Sequence, residues 1–211
     1  MPFPVTHIAI ACRFARRHFS GNDLRDFYLG NLFPDIRYLN VITREESHYE
    51  VVSADLIPLE NPFIAGVYYH SLVDEFYSRF REESGIYSGY PGGRLASVAF
   101  RIAEDRYFYN KIAFIPQLLS WLSHIPPEAV QIAGSASAVE TWYNILKRYL
   151  RQPPGKKMLK MGARFLDISH SQLSQSEKLY RQVSGDQKVK EMLERLAAMS
   201  DFSQRGGDAE R

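Results

Sequence analysis

Residues 61–82 predict a helix that is apolar almost all the way round until its last turn. Such a helix cannot lie on a surface, so the rest of the chain must pack around it. Asn61 suits the N-cap, and Pro62 suits the first helical position, where its missing N–H costs nothing. Two polar side chains interrupt the apolar surface. His70 and Asp74 stand four residues apart, about 40° of helical rotation, so both project from one face among Phe63, Val67, Val73 and Tyr77. An imidazole and a carboxylate at this spacing can chelate one metal ion, although a hydrogen-bonded pair or an exposed salt bridge is the commoner outcome. Burial decides between these, because a carboxylate enclosed by aromatic and branched side chains needs a cation or a network of donors.

The flanking sequence continues the helical pattern. Thr6 can cap a first helix from His7 to about His18, with Ile8, Ala11, Cys12 and Ala15 inward. Asp23 can cap a short helix running to Gly30. Pro34 stiffens the chain beside Asp35, which suits a carboxylate held in one direction. Residues 43–50 form a polar segment that carries His48. From Arg94 to His124 the period is helical, with a kink expected at Pro116; further helices are expected at 127–134, 137–151 and between 156 and 199. Repeats are absent, and no alternating pattern runs longer than residues 49–53. The expected fold is all-α, one helical domain over residues 1–200 around the helix 61–82, with a flexible tail at 201–211.

Composition limits the function classes. Of 211 residues 45% are hydrophobic, with 13 Tyr and 13 Phe, and the formal net charge is only +2. Lys and Arg are dispersed, so no nucleic-acid surface is expected; Arg13, Arg16, Arg17 and His18 read as a solvated helix face. The single cysteine, Cys12, rules out an internal disulfide and a cysteine-rich zinc site. The longest charge-free run, residues 112–127, is too short to span a bilayer. Residues 1–11 lack a basic n-region, and a cytoplasmic location is expected.

The candidate ligand set is therefore His7, Asp35, His48, His70 and Asp74, all within the first 74 residues. Neutral imidazole and ionised carboxylate are what zinc accepts when Cys is absent, and manganese and iron accept them too.

Four segments carry a family resemblance: residues 6–9 with His7, residues 28–36 with Gly30 and Pro34-Asp35, residues 47–49 with His48, and residues 66–74 with His70 and Asp74. In order and spacing they resemble the zinc-dependent phospholipase C family, over about residues 1–80. That resemblance implies an all-helical fold like that of phospholipase C and P1 nuclease, and a zinc cluster that hydrolyses a phosphodiester or phospholipid-like substrate. It implies that Asp35, His48, His70 and Asp74 bind one metal, that His7 binds a neighbouring one, and that Asp74 bridges the two as the catalytic carboxylate. The chain departs from the family in lacking its metal-binding amino-terminal Trp and its second set of histidines. The spacing His124 to Glu128 is interrupted by Pro126 and Pro127. Glu104 and Asp105 then stand as acidic candidates to complete the centre, against an exposed acidic turn answering Arg101 or Arg106.

The leading expectation is a metal-dependent phosphodiester hydrolase. An acyl-carrier-protein phosphodiesterase or an HD-type phosphohydrolase is the alternative among enzymes, although the His-Asp dipeptide of the HD type is absent. A helical scaffold whose His and Asp residues form only a polar core is the non-enzyme alternative. The sequence leaves the oligomeric state open.

Overall fold

A computed structural model describes residues 2–51, 53–90, 93–159 and 169–200. Among these, every regular element is helical. They are α1 (Pro4–His18), α2 (Gly21–Leu32), α3 (Arg44–Ser47), α4 (Pro62–Ser84), α5 (Arg94–Tyr109), α6 (Ile115–Trp121), α7 (Pro127–Ala133), α8 (Ala136–Leu150), α9 (His170–Gly185) and α10 (Gln187–Ser200). Short 3₁₀ turns at Pro34–Leu39, Ala54–Leu56 and Ile86–Gly89 link them. One apolar core runs from Val5 in α1 to Leu196 in α10. The tail expected at 201–211 lies outside the described residues.

Helix α4 is the centre. Asn61 accepts from the Ile64 amide, as its N-cap position requires, and Gly85 ends the helix in the left-handed conformation. Val67, Val73 and Tyr77 are buried. α4 crosses α2 through two glycines. A Cβ on Gly30 would stand 1.9 Å from the Phe63 carbonyl oxygen, and one on Gly66 would stand 2.1 Å from that of Phe27. The backbones touch at this crossing, and only hydrogen at both Cα atoms permits it.

The end of α2 is held from three directions. Its last four carbonyls have no partner within the helix and must find donors elsewhere. Tyr143 Oη donates to Leu29 O at 3.3 Å and Trp142 Nε1 to Leu32 O at 2.8 Å, both from α8. The Phe33 amide serves Gly30 O, and His70 Nδ1 reaches Asn31 O at 2.8 Å from α4.

Some boundaries differ from the sequence expectation. α1 begins at Pro4 rather than after Thr6, because proline nucleates the first turn, and Phe3 in the cap position offers no capping side chain. Thr6 is instead inside the first turn. Pro116 does not kink one long helix: the chain leaves helix after Tyr109, and Pro116 sits in the first turn of the separate α6. Residues 43–50 hold a capped turn, with Thr43 and Glu46 each satisfying the other's backbone amide.

Candidate metal centre

The crossing of α2 and α4 places His70 Nδ1 against a carbonyl that can only accept, so Nδ1 carries the proton and Nε2 presents its lone pair inward. Ser47 Oγ donates to the Thr43 carbonyl at 2.9 Å and lies 2.9 Å from His48 Nδ1, so it can accept from Nδ1 in the tautomer that turns the Nε2 lone pair inward. His7, from the first turns of α1, lies flat on His70 with ring centroids 4.0 Å apart and planes 7° apart.

These imidazoles converge on Asp74, which is 5% exposed. His7 Nε2 lies 3.5 Å from Oδ1, while His48 Nε2 and His70 Nε2 lie 3.5 and 4.0 Å from Oδ2. Candidate ligand atoms of His7, His70 and Asp74 all fall within 4.8 Å of one another, and so do those of Asp35, His48 and His70. The structure thus brings together all five of the first candidate set. The grouping differs from the one the family resemblance implies, since His7 joins His70 and Asp74 while Asp35 joins His48 and His70.

The inward atoms share one property. Nε2 of His7, His48 and His70, Oδ1 of Asp35, and both carboxylate oxygens of Asp74 are buried without a hydrogen-bond partner. Buried polar atoms ordinarily have partners, so these six orphans, spread over two groups that share His70, could hold a cation. The donor set of neutral nitrogens and carboxylate oxygens suits a divalent transition ion, and the chain could hold one here.

Electrostatics favours the metal-binding protonation states. Burial, reinforced by the charge of His70, lowers His7 to about 4, and burial, outweighing the pull of Asp74, lowers His70 to about 4. Both are neutral at pH 7. Burial alone would push Asp74 up, but contacts from His48 and His7 hold it well below the carboxylate range, so it is ionised. Burial pushes Asp35 up, partly countered by His7.

Two arginines that were not singled out in the sequence stand at the rim. Arg44 Nη2 lies 3.6 Å from Asp74 Oδ2, and Arg37 Nε lies 3.7 Å from Asp35 Oδ1. Arg44 is one turn before His48 on α3, and that spacing was the available signal. Beyond it the centre opens through a cleft of about 440 Å³ lined by Arg44, His48, Ser71, Asp74 and Arg79.

Glu104 and Asp105 do not join either ligand group, nor do they form an exposed acidic turn, because both are fully buried. Asp105 accepts the Val5 amide at 3.1 Å, the Thr6 amide at 2.8 Å, Thr6 Oγ1 at 2.7 Å and Tyr149 Oη at 2.7 Å. It therefore caps α1 from another helix, serving the amides that Phe3 leaves unpaired and placing a carboxylate at the positive end of the dipole. Burial pushes its carboxyl up to about 7, against those four bonds. Glu104 accepts from the hydroxyls of Tyr77 and Tyr87, and burial raises it likewise. His124 pairs loosely with Asp26 at 3.8 Å and Glu128 accepts from Asn61 at 3.2 Å, so the interrupted spacing builds no site.

Comparison of the chain with family models, with curated proteins and with solved structures finds no match. Among the described residues no helix is long and apolar enough to cross a membrane.

Proposed function

We propose that the cluster binds zinc, with manganese or iron suited to the same donors, and that the protein hydrolyses a phosphodiester. The observation that supports this is the set of orphaned atoms on His7, His48, His70, Asp35 and Asp74, aimed at one another beneath an open cleft. A bound ion of this class supplies Lewis-acid polarisation of a phosphoryl oxygen and an acidified water.

The residues of the chain divide the remaining work. Each imidazole has a single Nε2 lone pair and can serve only one ion, whereas a carboxylate has two oxygens. Asp74 turns Oδ1 to His7 and Oδ2 to His48 and His70, so it would hold a bound ion beside all three rings. Asn31 O holds His70 in the ligating tautomer, and Ser47 Oγ can do the same for His48. Arg44 lies where an anionic phosphate would enter and can contact it with its fork of donors.

The arginines also support the scaffold alternative, since guanidinium groups beside Asp35 and Asp74 can balance those carboxylates without a metal. Hydrolysis of bis-p-nitrophenyl phosphate, with zinc, manganese or iron supplied, separates the two. Activity that is lost in Asp74→Asn while the fold persists supports the hydrolase; inactivity with all three metals supports the scaffold, and full activity of Asp74→Asn rules out the role given to Asp74.

A further inference from the structure

A second cavity, of about 760 Å³, is lined by Val73, the residue before Asp74. Its walls follow helical spacing. Ile10, Phe14 and Arg17 recur along one face of α1, with Arg13 beside them, and Leu72, Phe76 and Arg79 recur along one face of α4. Phe14 and Tyr69 close the floor, with ring centroids 4.5 Å apart. On the third side the 3₁₀ turn Ala54–Leu56 and its flanks stand in for a helix, and Leu59, 42% exposed, lies on the rim. Two helix faces that would ordinarily be buried against a neighbour instead line an open cleft of the size that takes one small ligand.

The charges around this cleft are one-sided. Arg13 and Arg17 stand on the α1 wall and Arg79 on the α4 wall, and Asp55 is the only acid among the described lining residues. Arg13 and Arg79 already have interactions of their own; that of Arg79, whose Nε is 3.7 Å from Glu75, is exposed and weak in water. An apolar trough rimmed by guanidinium groups matches a molecule with an apolar chain and an anionic head. Arginine stems can pack along apolar surface while their charged heads stay in water.

We propose that this cavity binds a single-chain anionic amphiphile, a long-chain carboxylate, with the chain between Phe14, Leu72 and Phe76 and the head on Arg13 and Arg17. The two sites meet at Arg79, which lines both clefts, but Val73 lines this cavity while Asp74, the next residue, lines the other.

Calorimetric titration of the full chain with decanoate and with decan-1-ol, each below its aggregation limit and in the presence of a chelator, tests this. Decanoate should bind about tenfold or more tightly than the neutral alcohol, and Arg13→Gln/Arg17→Gln should lose that preference while keeping the wild-type helical content and its binding of the alcohol. Leu72→Glu should abolish binding of both, and supplying zinc in place of the chelator should leave decanoate affinity unchanged. No decanoate binding, equal affinity for the alcohol, or binding that appears only when metal is supplied would overturn the proposal. So would a dimer in sedimentation that Leu72→Glu dissociates, because a second copy would then occupy the face.

Discussion

His70 Nδ1 lies 2.8 Å from the carbonyl oxygen of Asn31, at the crossing where Gly30 and Gly66 bring α2 and α4 into backbone contact. One bond thus satisfies a terminal carbonyl of α2 and fixes the tautomer of the histidine common to both ligand groups. The helix crossing and the candidate metal centre are consequently one structural unit.

Gly66→Ala tests that unit. Its new Cβ would meet the Phe27 carbonyl oxygen at 2.1 Å, and backbone cannot yield as a flexible side chain can. We expect a loss of about 1–3 kcal/mol in denaturant unfolding, the cost of overpacking, together with weaker metal binding as His70 is drawn off Asn31. Unchanged stability and affinity would mean that the crossing does not constrain the centre.

Asp105→Asn should destabilise the fold without emptying the centre. An amide cannot accept from all four donors, and its NH₂ must face at least one N–H or hydroxyl. A loss of about 2–3 kcal/mol follows from a cap and a buried partner removed together. Metal stoichiometry, measured by elemental analysis, should stay at the wild-type value. Loss of metal at full stability would instead make Asp105 a ligand.

The lowered pKa of His70 gives a signed pH dependence. In the metal-free protein its folded value is about 4 against an ordinary 6.5, so between these pH values the unfolded chain binds more protons. Its contribution is present above pH 6.5 and lost as pH falls through 4, with a slope of up to about 1.4 kcal/mol per pH unit. Asp35 and Asp105, pushed up by burial, act in the opposite sense, so the informative quantity is a difference. The stability gap between wild type and His70→Gln, followed by urea unfolding with chelator present, should shift against the wild type as pH drops from 6.5 to 4. A gap constant across that range would show that His70 does not titrate with a lowered value.

Much of this was legible in the chain. The all-round apolar pattern of 61–82 required a central helix, and the structure buries Val67 and Val73 as that pattern demands. His7, Asp35, His48, His70 and Asp74 could be gathered from their residue types and their motifs. The role of Asp105 was not legible, because capping a helix 99 or 100 residues away is a tertiary event with no local signature. Thr6 misled for the related reason that a cap residue and a first-turn residue look alike in sequence, and Pro4 decided the start. Gly30 and Gly66 were visible as residues, but the close approach they permit appears only once both helices are placed.

The central claim is that the buried cluster is a metal site, and its most direct test is metal analysis joined to chelation. Protein purified without added metal should carry at least one transition-metal ion per chain, and its melting temperature should fall on chelation and recover with zinc. His70→Ala should lower both occupancy and stability, since the remaining buried carboxylate is left poorly balanced, a cost on the order of a few kcal/mol. A metal-free protein that takes up no zinc, manganese or iron and melts at the same temperature with and without chelator would contradict it.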